Sequence, residues 1–319
     1  MLRSFLIYLS KASWARRIVT GWSFASRAAS RFIAGEKLED AIRVVKILNA
    51  RGINTTLDHL GEHTSTPEEA LKATQDIQDI IDTIEDSGVR ANISIKLTQI
   101  GLKLGEEICA ANLKSILEHA KERGNFVRID MEDSPWVDTT LRLFDKMREC
   151  CLDNSGLVIQ AYLYRSEEDV KRILSYPGRI RLCKGAYKEP SEVAYPKKRD
   201  VDANFDRLAG IMVDQAVAIG SPLLSSDGKI PPLAAIASHD PNRLKFVKDY
   251  ARKAGVPQKG IEFQMLHGIR RDLQEQTIQE GYPVRVYVPF GTEWYPYFMR
   301  RLAERPANVW FFISNFFRK

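Results

Sequence analysis

No Gly-x-Gly occurs anywhere in the 319 residues, which removes the dinucleotide-binding fingerprint expected of an open doubly wound α/β sheet. Histidine is scarce at five. The four cysteines (Cys109, Cys150, Cys151, Cys183) follow neither metal-ligand nor disulfide-framework spacing, so reduced thiols in a cytoplasmic setting are expected and no metal centre is. Long apolar runs are missing too: nothing approaches the roughly 18 consecutive apolar residues of a membrane span. Acid is absent from residues 1–35, which carry Arg3, Lys11, Arg16, Arg17, Arg27 and Arg31. The formal net charge of +6 therefore belongs to this arm, and the remainder holds 41 basic residues against 41 acidic ones. So balanced a body is not the footprint of a nucleic-acid binder. The arm is too interrupted by serine for a secretory signal and reads as a basic amphipathic helical extension.

What is present is repetition. Eight short runs rich in β-branched or large apolar residues, at 53–62, 91–101, 125–133, 156–165, 178–187, 231–240, 261–268 and 283–291, alternate with helical patterns. Helix starts are marked by Thr66-Pro67-Glu68-Glu69, Ser166-Glu167-Glu168-Asp169 and Asp240-Pro241, and Gly88, Gly124, Gly220 and Gly281 close helices. Strand and helix repeated eight times predict a (β/α)8 barrel over 36–319, one domain, with an extra helix at 36–52 before the first strand.

Barrel enzymes place their chemistry at the C-terminal strand ends. Here those ends carry Asp58 and Glu62, Lys96, Asp130, Gln160, Arg181 with Lys184, His239, Gln264 with His267, and Tyr287. Lys96 stands inside the apolar "ISIKL", and Arg181 and Gln160 are similarly flanked, where a solvated side chain would not be placed. Past the last strand, "YPYFMRRLAERP" sets Arg300 beside Arg301. Helix neighbours point about 100° apart, so the two cannot share one surface carboxylate as an i,i+4 pair would. A mouth of Lys96, Arg181, Lys184 and this pair reads as strongly cationic and suited to an anionic cofactor and a small carboxylate. Two other chemistries come to mind. "HLGEH" at His59–His63 imitates a metal motif, but Gly61 and the Thr66 cap keep it off a helix. Lys96 could also serve as the nucleophile of a Schiff-base aldolase.

The ordered motifs "SIKLTQIG", "VRIDMEDS", "QAYLYR", "RLCKGAY", "ASHDP", "EFQMLHG", "RVYVPFG" and "YFMRRLAERP" closely resemble the monofunctional bacterial proline dehydrogenases, from about Ile33 to Asn308. The resemblance implies a distorted barrel that binds FAD and oxidises L-proline to Δ1-pyrroline-5-carboxylate, with hydride passing to flavin N5 and electrons onward to a membrane quinone. It implies that Arg300 and Arg301 bind the proline carboxylate with Lys96, that Tyr287 and Leu266 line the ring pocket, and that Tyr297 and Glu304 support the arginines. Asp130 and Arg181 correspond to residues required for activity. Met131, Gln160, Arg181, Lys184, Gly185, Ala186, Ser238 and His239 correspond to FAD contacts. Ser238 stands where relatives often carry Thr, and Cys183 replaces an apolar residue. The basic arm and the aromatic, basic tail 308–319 fit peripheral attachment to the inner face of the cell membrane. A non-catalytic membrane-associated binding protein on the same barrel is a third reading.

Overall fold

A computed structural model of the chain describes residues 29–61 and 64–304, together with Leu9 and Ala12. Eight strands form one closed parallel barrel in sequence order: β1 Asn54–His59, β2 Ala91–Ile95, β3 Val127–Ile129, β4 Ser155–Gln160, β5 Arg179–Cys183, β6 Ala234–Ala237, β7 Ile261–Leu266 and β8 Val284–Phe290. The first and last strands pair at six positions, from Asn54↔Arg285 to His59↔Phe290. That seam rules out the open sheet. Helix α1 (Leu38–Ala50) precedes β1 and packs against both seam strands through Ala41, Ile42, Val45 and Leu48 at helical spacing. The strands are joined by α2 (Pro67–Asp86), α3 (Glu106–Glu122), α4 (Val137–Glu149), α5 (Ser166–Leu174), α6 (Lys198–Ala218), α7 (Pro241–Lys253) and α8 (Arg271–Gln279), and α9 (Trp294–Glu304) follows β8.

Local signals explain most boundaries. Thr66 Oγ1 accepts from the Glu69 amide at 3.2 Å ahead of Pro67, and Asp240 Oδ1 accepts from the Asn242 amide at 3.1 Å ahead of Pro241. The four glycines expected to end helices all sit at positive φ. Ser166 is a correction. It lies within the first turn of α5, buried, with Oγ accepting from Asn204 Nδ2 at 2.9 Å. The same Asn204 amide also donates to the Ala161 carbonyl, and a buried amide with two hydrogens needs both acceptors.

The main apolar core lies between sheet and helices, where alternate strand residues such as Leu57, Ile93, Ile129, Leu157 and Val286 point outward. The lumen is different. Thr56, Asn92, Ser94, Arg128, Asp130, Arg181, Glu262, Gln264 and Arg285, all but Asp130 fully enclosed, face one another across it, where such barrels usually stack branched apolar layers. A second apolar cluster covers the mouth. In it Ala29, Phe32 and Ile33 pack with Leu60, Ile269, Trp294, Tyr295, Phe298 and Leu302. The two layers are tied by Ala34 N–H to the Pro289 carbonyl, 2.9 Å, and by Trp294 Nε1 to Glu36, 3.0 Å.

Candidate active site

The barrel pleat sends every second residue inward, so Asp130 on the β3 end, Arg181 on β5, Gln264 on β7 and Tyr287 on β8 converge. Arg181 Nη1 donates to Asp130 Oδ1 at 2.9 Å and to Ser94 Oγ at 3.2 Å, while its Nε donates to Gln264 Oε1. Tyr287 donates its hydroxyl to Asp130 Oδ2 at 2.8 Å, and its ring lies 5.4 Å from the Arg181 guanidinium. Burial, with the Asp130 and Asp58 carboxylates nearby, raises the Tyr287 phenol well above its ordinary range, so it stays a donor. Asp130 thus holds a cation on one oxygen and a phenol on the other.

Lys96, just past β2, turns its Nζ to Asp58 at 3.0 and 3.2 Å. Asp58 is almost wholly enclosed, and the pair commits to a carboxylate the nitrogen that a Schiff base would need for attack. Lys184 Nζ bridges Asp202 and Asp240 at 2.5 and 2.7 Å. Burial alone would raise both acids; Lys184 and Lys198 outweigh it and hold them below the usual carboxylate range. The cationic mouth read from the sequence is corrected accordingly. Lys96, Arg181 and Lys184 each carry their own carboxylate, because a cation withdrawn from water needs a compensating charge.

Around this centre, Gln160 Nε2 donates to the Glu132 carbonyl at 2.7 Å, and Glu132 in turn holds the amide and hydroxyl of Thr98. Met131 is buried in the main core, Ala186 is exposed, and Ser238 Oγ accepts from the Asp240 amide at 3.1 Å. His239 Nε2 accepts from the Leu266 amide at 2.9 Å, so that nitrogen carries no proton. Gly185 has φ +110, and a Cβ there would fall 2.4 Å from the Tyr162 ring. An open cavity of about 500 Å³, lined by Lys198, Arg199, Asp202, Ala203, Asp206 and Arg243, extends from the Lys184 cluster.

Helix α9 places Arg301 in the mouth cluster, buried, with its guanidinium 5.1 Å from the Tyr297 ring one turn back; Arg300 is half-buried. Leu266 packs at the edge of the same cluster. Glu304 ends the helix, and its side chain lies outside the described residues, as do Glu62 and His63. His59 closes a strand rather than lying on a helix. The sequence reading did not single out Arg128, Glu262 and Arg285 or pair Asp58 with Lys96. Each of those three is a charge inside an apolar run, the signal that had picked out Lys96.

The chain matches the proline dehydrogenase family over residues 41–313. Proline dehydrogenase 1 of Bacillus subtilis subsp. natto is 38% identical over 319 residues, covering 100% of both chains. The proline dehydrogenase of Deinococcus radiodurans is 40% identical over 291 residues, 90% of this chain and 89% of the relative. Among solved structures, proline utilization A from Bdellovibrio bacteriovorus, inactivated by N-propargylglycine, superposes with a TM-score of 0.79 at 27% identity. It aligns with 88% of this chain, which spans only 33% of that larger protein. With a closed barrel, a polar lumen and full-length relatives of one kind, the chain belongs to the proline dehydrogenase family.

Proposed function

We propose that this chain oxidises L-proline to Δ1-pyrroline-5-carboxylate with FAD as its cofactor and passes the electrons to a quinone. The observation that carries the reading is the meeting of Arg181, Asp130, Tyr287 and the Lys96–Asp58 pair in one lumen, beneath the helix that bears Arg300 and Arg301. The donor set suits a flavin. Arg181 commits Nε and Nη1 to protein, while its Nη2 makes no bond to the described residues. Gly185 lets the backbone run against Tyr162 where any side chain would collide, and Lys184 reaches through Asp202 to a cavity where Lys198, Arg199 and Arg243 outnumber Asp202 and Asp206, a balance that suits a diphosphate. When bound, the isoalloxazine supplies a two-electron acceptor.

The residues of the chain do the rest. Arg300 and Arg301 bind the proline carboxylate with Lys96, so that binding energy fixes the ring in near-attack geometry. Tyr287 and Leu266 line the ring pocket, with Tyr297 and Glu304 supporting the arginines. The mouth cluster of Phe32, Leu60, Trp294 and Phe298 keeps water away. Arg181, oriented by Asp130, stabilises negative charge at the acceptor. Gln160, Lys184, Gly185, Ala186, Ser238, His239 and Met131 complete the cofactor contacts. Asp130 and Asp58 already accept bonds from cations, so the proline amine gives its proton to bulk water before it enters the site.

Purified protein should show the visible absorption bands of oxidised flavin, and anaerobic L-proline should bleach them. A colourless protein that borohydride traps covalently on its substrate would instead establish the Lys96 aldolase reading.

A further inference from the structure

Glu262 is wholly enclosed on β7, one inward position deeper than Gln264 and away from the mouth. Burying a carboxylate there is costly unless it is paired and bonded. Arg285, equally enclosed, meets it twice, Nε to Oε1 at 2.8 Å and Nη2 to Oε2 at 3.0 Å. Oε1 also accepts from Gln264 Nε2 at 2.6 Å. A carboxylate in this pair only accepts, so Gln264 must turn its NH2 toward Glu262 and its carbonyl oxygen the other way. That oxygen is the acceptor of Arg181 Nε. Were the amide reversed, two acceptors would face each other at Glu262 and two donors at Arg181.

We propose that Glu262, anchored by Arg285, is a positioning residue that fixes the Arg181 guanidinium through the sense of the Gln264 amide. Arg181 is then gripped from two sides of the barrel, by Gln264 of β7 at Nε and by Asp130 beyond β3 at Nη1, which sets the plane of the guanidinium. The inference rests on the flavin-dependent proline oxidation proposed above and adds to it the group that aims its central cation. Nothing on the substrate side needs Glu262, so its effect should fall on the chemical step rather than on binding.

The test is Glu262→Gln in the flavin-loaded protein. An amide at 262 can donate as well as accept and no longer dictates the direction of Gln264. We expect kcat to fall by about ten- to a hundredfold with KM for proline changed less than about threefold, since small misplacements of an aligned group act at this scale. The midpoint potential of the bound flavin should become more negative as Arg181 loses its aim. Because Arg285 loses its counter-charge, Glu262→Gln could fail to fold. Gln264→Met leaves that ion pair intact, cuts the same relay and should give the same kinetic split and the same direction of potential shift. Adding Glu262→Gln to Gln264→Met should then change little further. A residue that only stabilised the barrel would lower Tm and yield and leave kcat and potential of the folded fraction alone. Parent-like kcat and potential in either folded single variant, or effects that simply add in the double variant, overturn the proposal. A parent protein with no flavin or no proline turnover would instead overturn the reading on which it rests.

Discussion

Arg300 and Arg301 are neighbours in sequence yet differ in setting. Arg301 is enclosed in the mouth cluster over Tyr297, and Arg300 is half in solvent. Arg301→Met should therefore raise KM for proline more than Arg300→Met does, by at least about thirtyfold if a desolvated carboxylate loses a charge-assisted partner of about 2–5 kcal/mol. Flavin content should be unchanged; unaltered proline kinetics in both variants would remove the pair from the substrate site. Tyr287 joins the ring pocket to Asp130 through its hydroxyl. Tyr287→Ser opens the pocket and frees one oxygen of Asp130, so turnover should fall on proline while the preference for proline over 4-hydroxyproline narrows about tenfold, the scale of one added group in a fitted pocket. A variant weakened equally on both substrates would place Tyr287 away from that carbon. Single residues were legible where they broke a pattern. Lys96 inside "ISIKL" stood out without any structure. Its pairing with Asp58, itself read only as a polar strand end, did not, because the two are 38 residues apart and only the packed barrel brings them to 3.0 Å. The Arg285–Glu262–Gln264 chain was hidden although Arg285 is only 23 residues from Glu262 and Gln264 only two, because it takes the pairing of β7 with β8 to bring the three side chains together.

Between elements, backbone runs against backbone at the mouth. Gly268, just past β7, has φ +74, and a Cβ there would fall 1.7 Å from the Arg31 carbonyl oxygen. Gly268→Ala should displace residues 29–34 from the cluster that backs α9. We expect a loss of about 1–3 kcal/mol from backbone strain, read as a lower Tm, and a higher KM for proline; a variant normal in both would separate this segment from α9. The adjoining His267 is pushed down to about 4 by burial, with Arg271 adding to the effect. An unfolded chain takes up its proton nearer pH 6.5. Between those values the unfolded state binds more protons, so stability is present above about pH 6.5 and drains away as pH falls toward 4. Part of His267 still reaches solvent, which tempers the effect. His267→Gln should therefore lose less Tm than the parent between pH 7.5 and 4.5, and equal losses would assign the acid sensitivity elsewhere. At this scale the sequence was most readable. Seven of the eight strands lie within the expected runs and β4 starts one residue early, at Ser155, while Thr66 and Asp240 cap as their spacing predicts, since those devices act within a single turn. Ser166 misled because its hydroxyl answers to Asn204, an element away.

For the whole molecule, the described residues contain no helix long and apolar enough to cross a membrane. The basic arm and the segment 308–319, on which peripheral attachment depends, lie almost entirely outside the described residues. Salt-sensitive binding to anionic vesicles, and turnover with a soluble quinone, are the expected outcomes; no vesicle binding at low salt would remove the membrane from the reading and leave the chemistry in place. The barrel seam has a different kind of consequence, one of timing. β1 takes β8 as its second neighbour, and Arg285 Nη1 reaches the Thr55 carbonyl 230 residues back. During synthesis, β1 must wait with one edge bare until nearly the whole chain has left the ribosome, whereas Glu262 waits only 23 residues for its counter-charge. Long-range closure of this kind is slow and leaves strand edges open to other chains. Nascent chains halted before residue 284 should therefore depend on chaperones and be cut readily by protease, and resistance should arrive in one step when β8 docks.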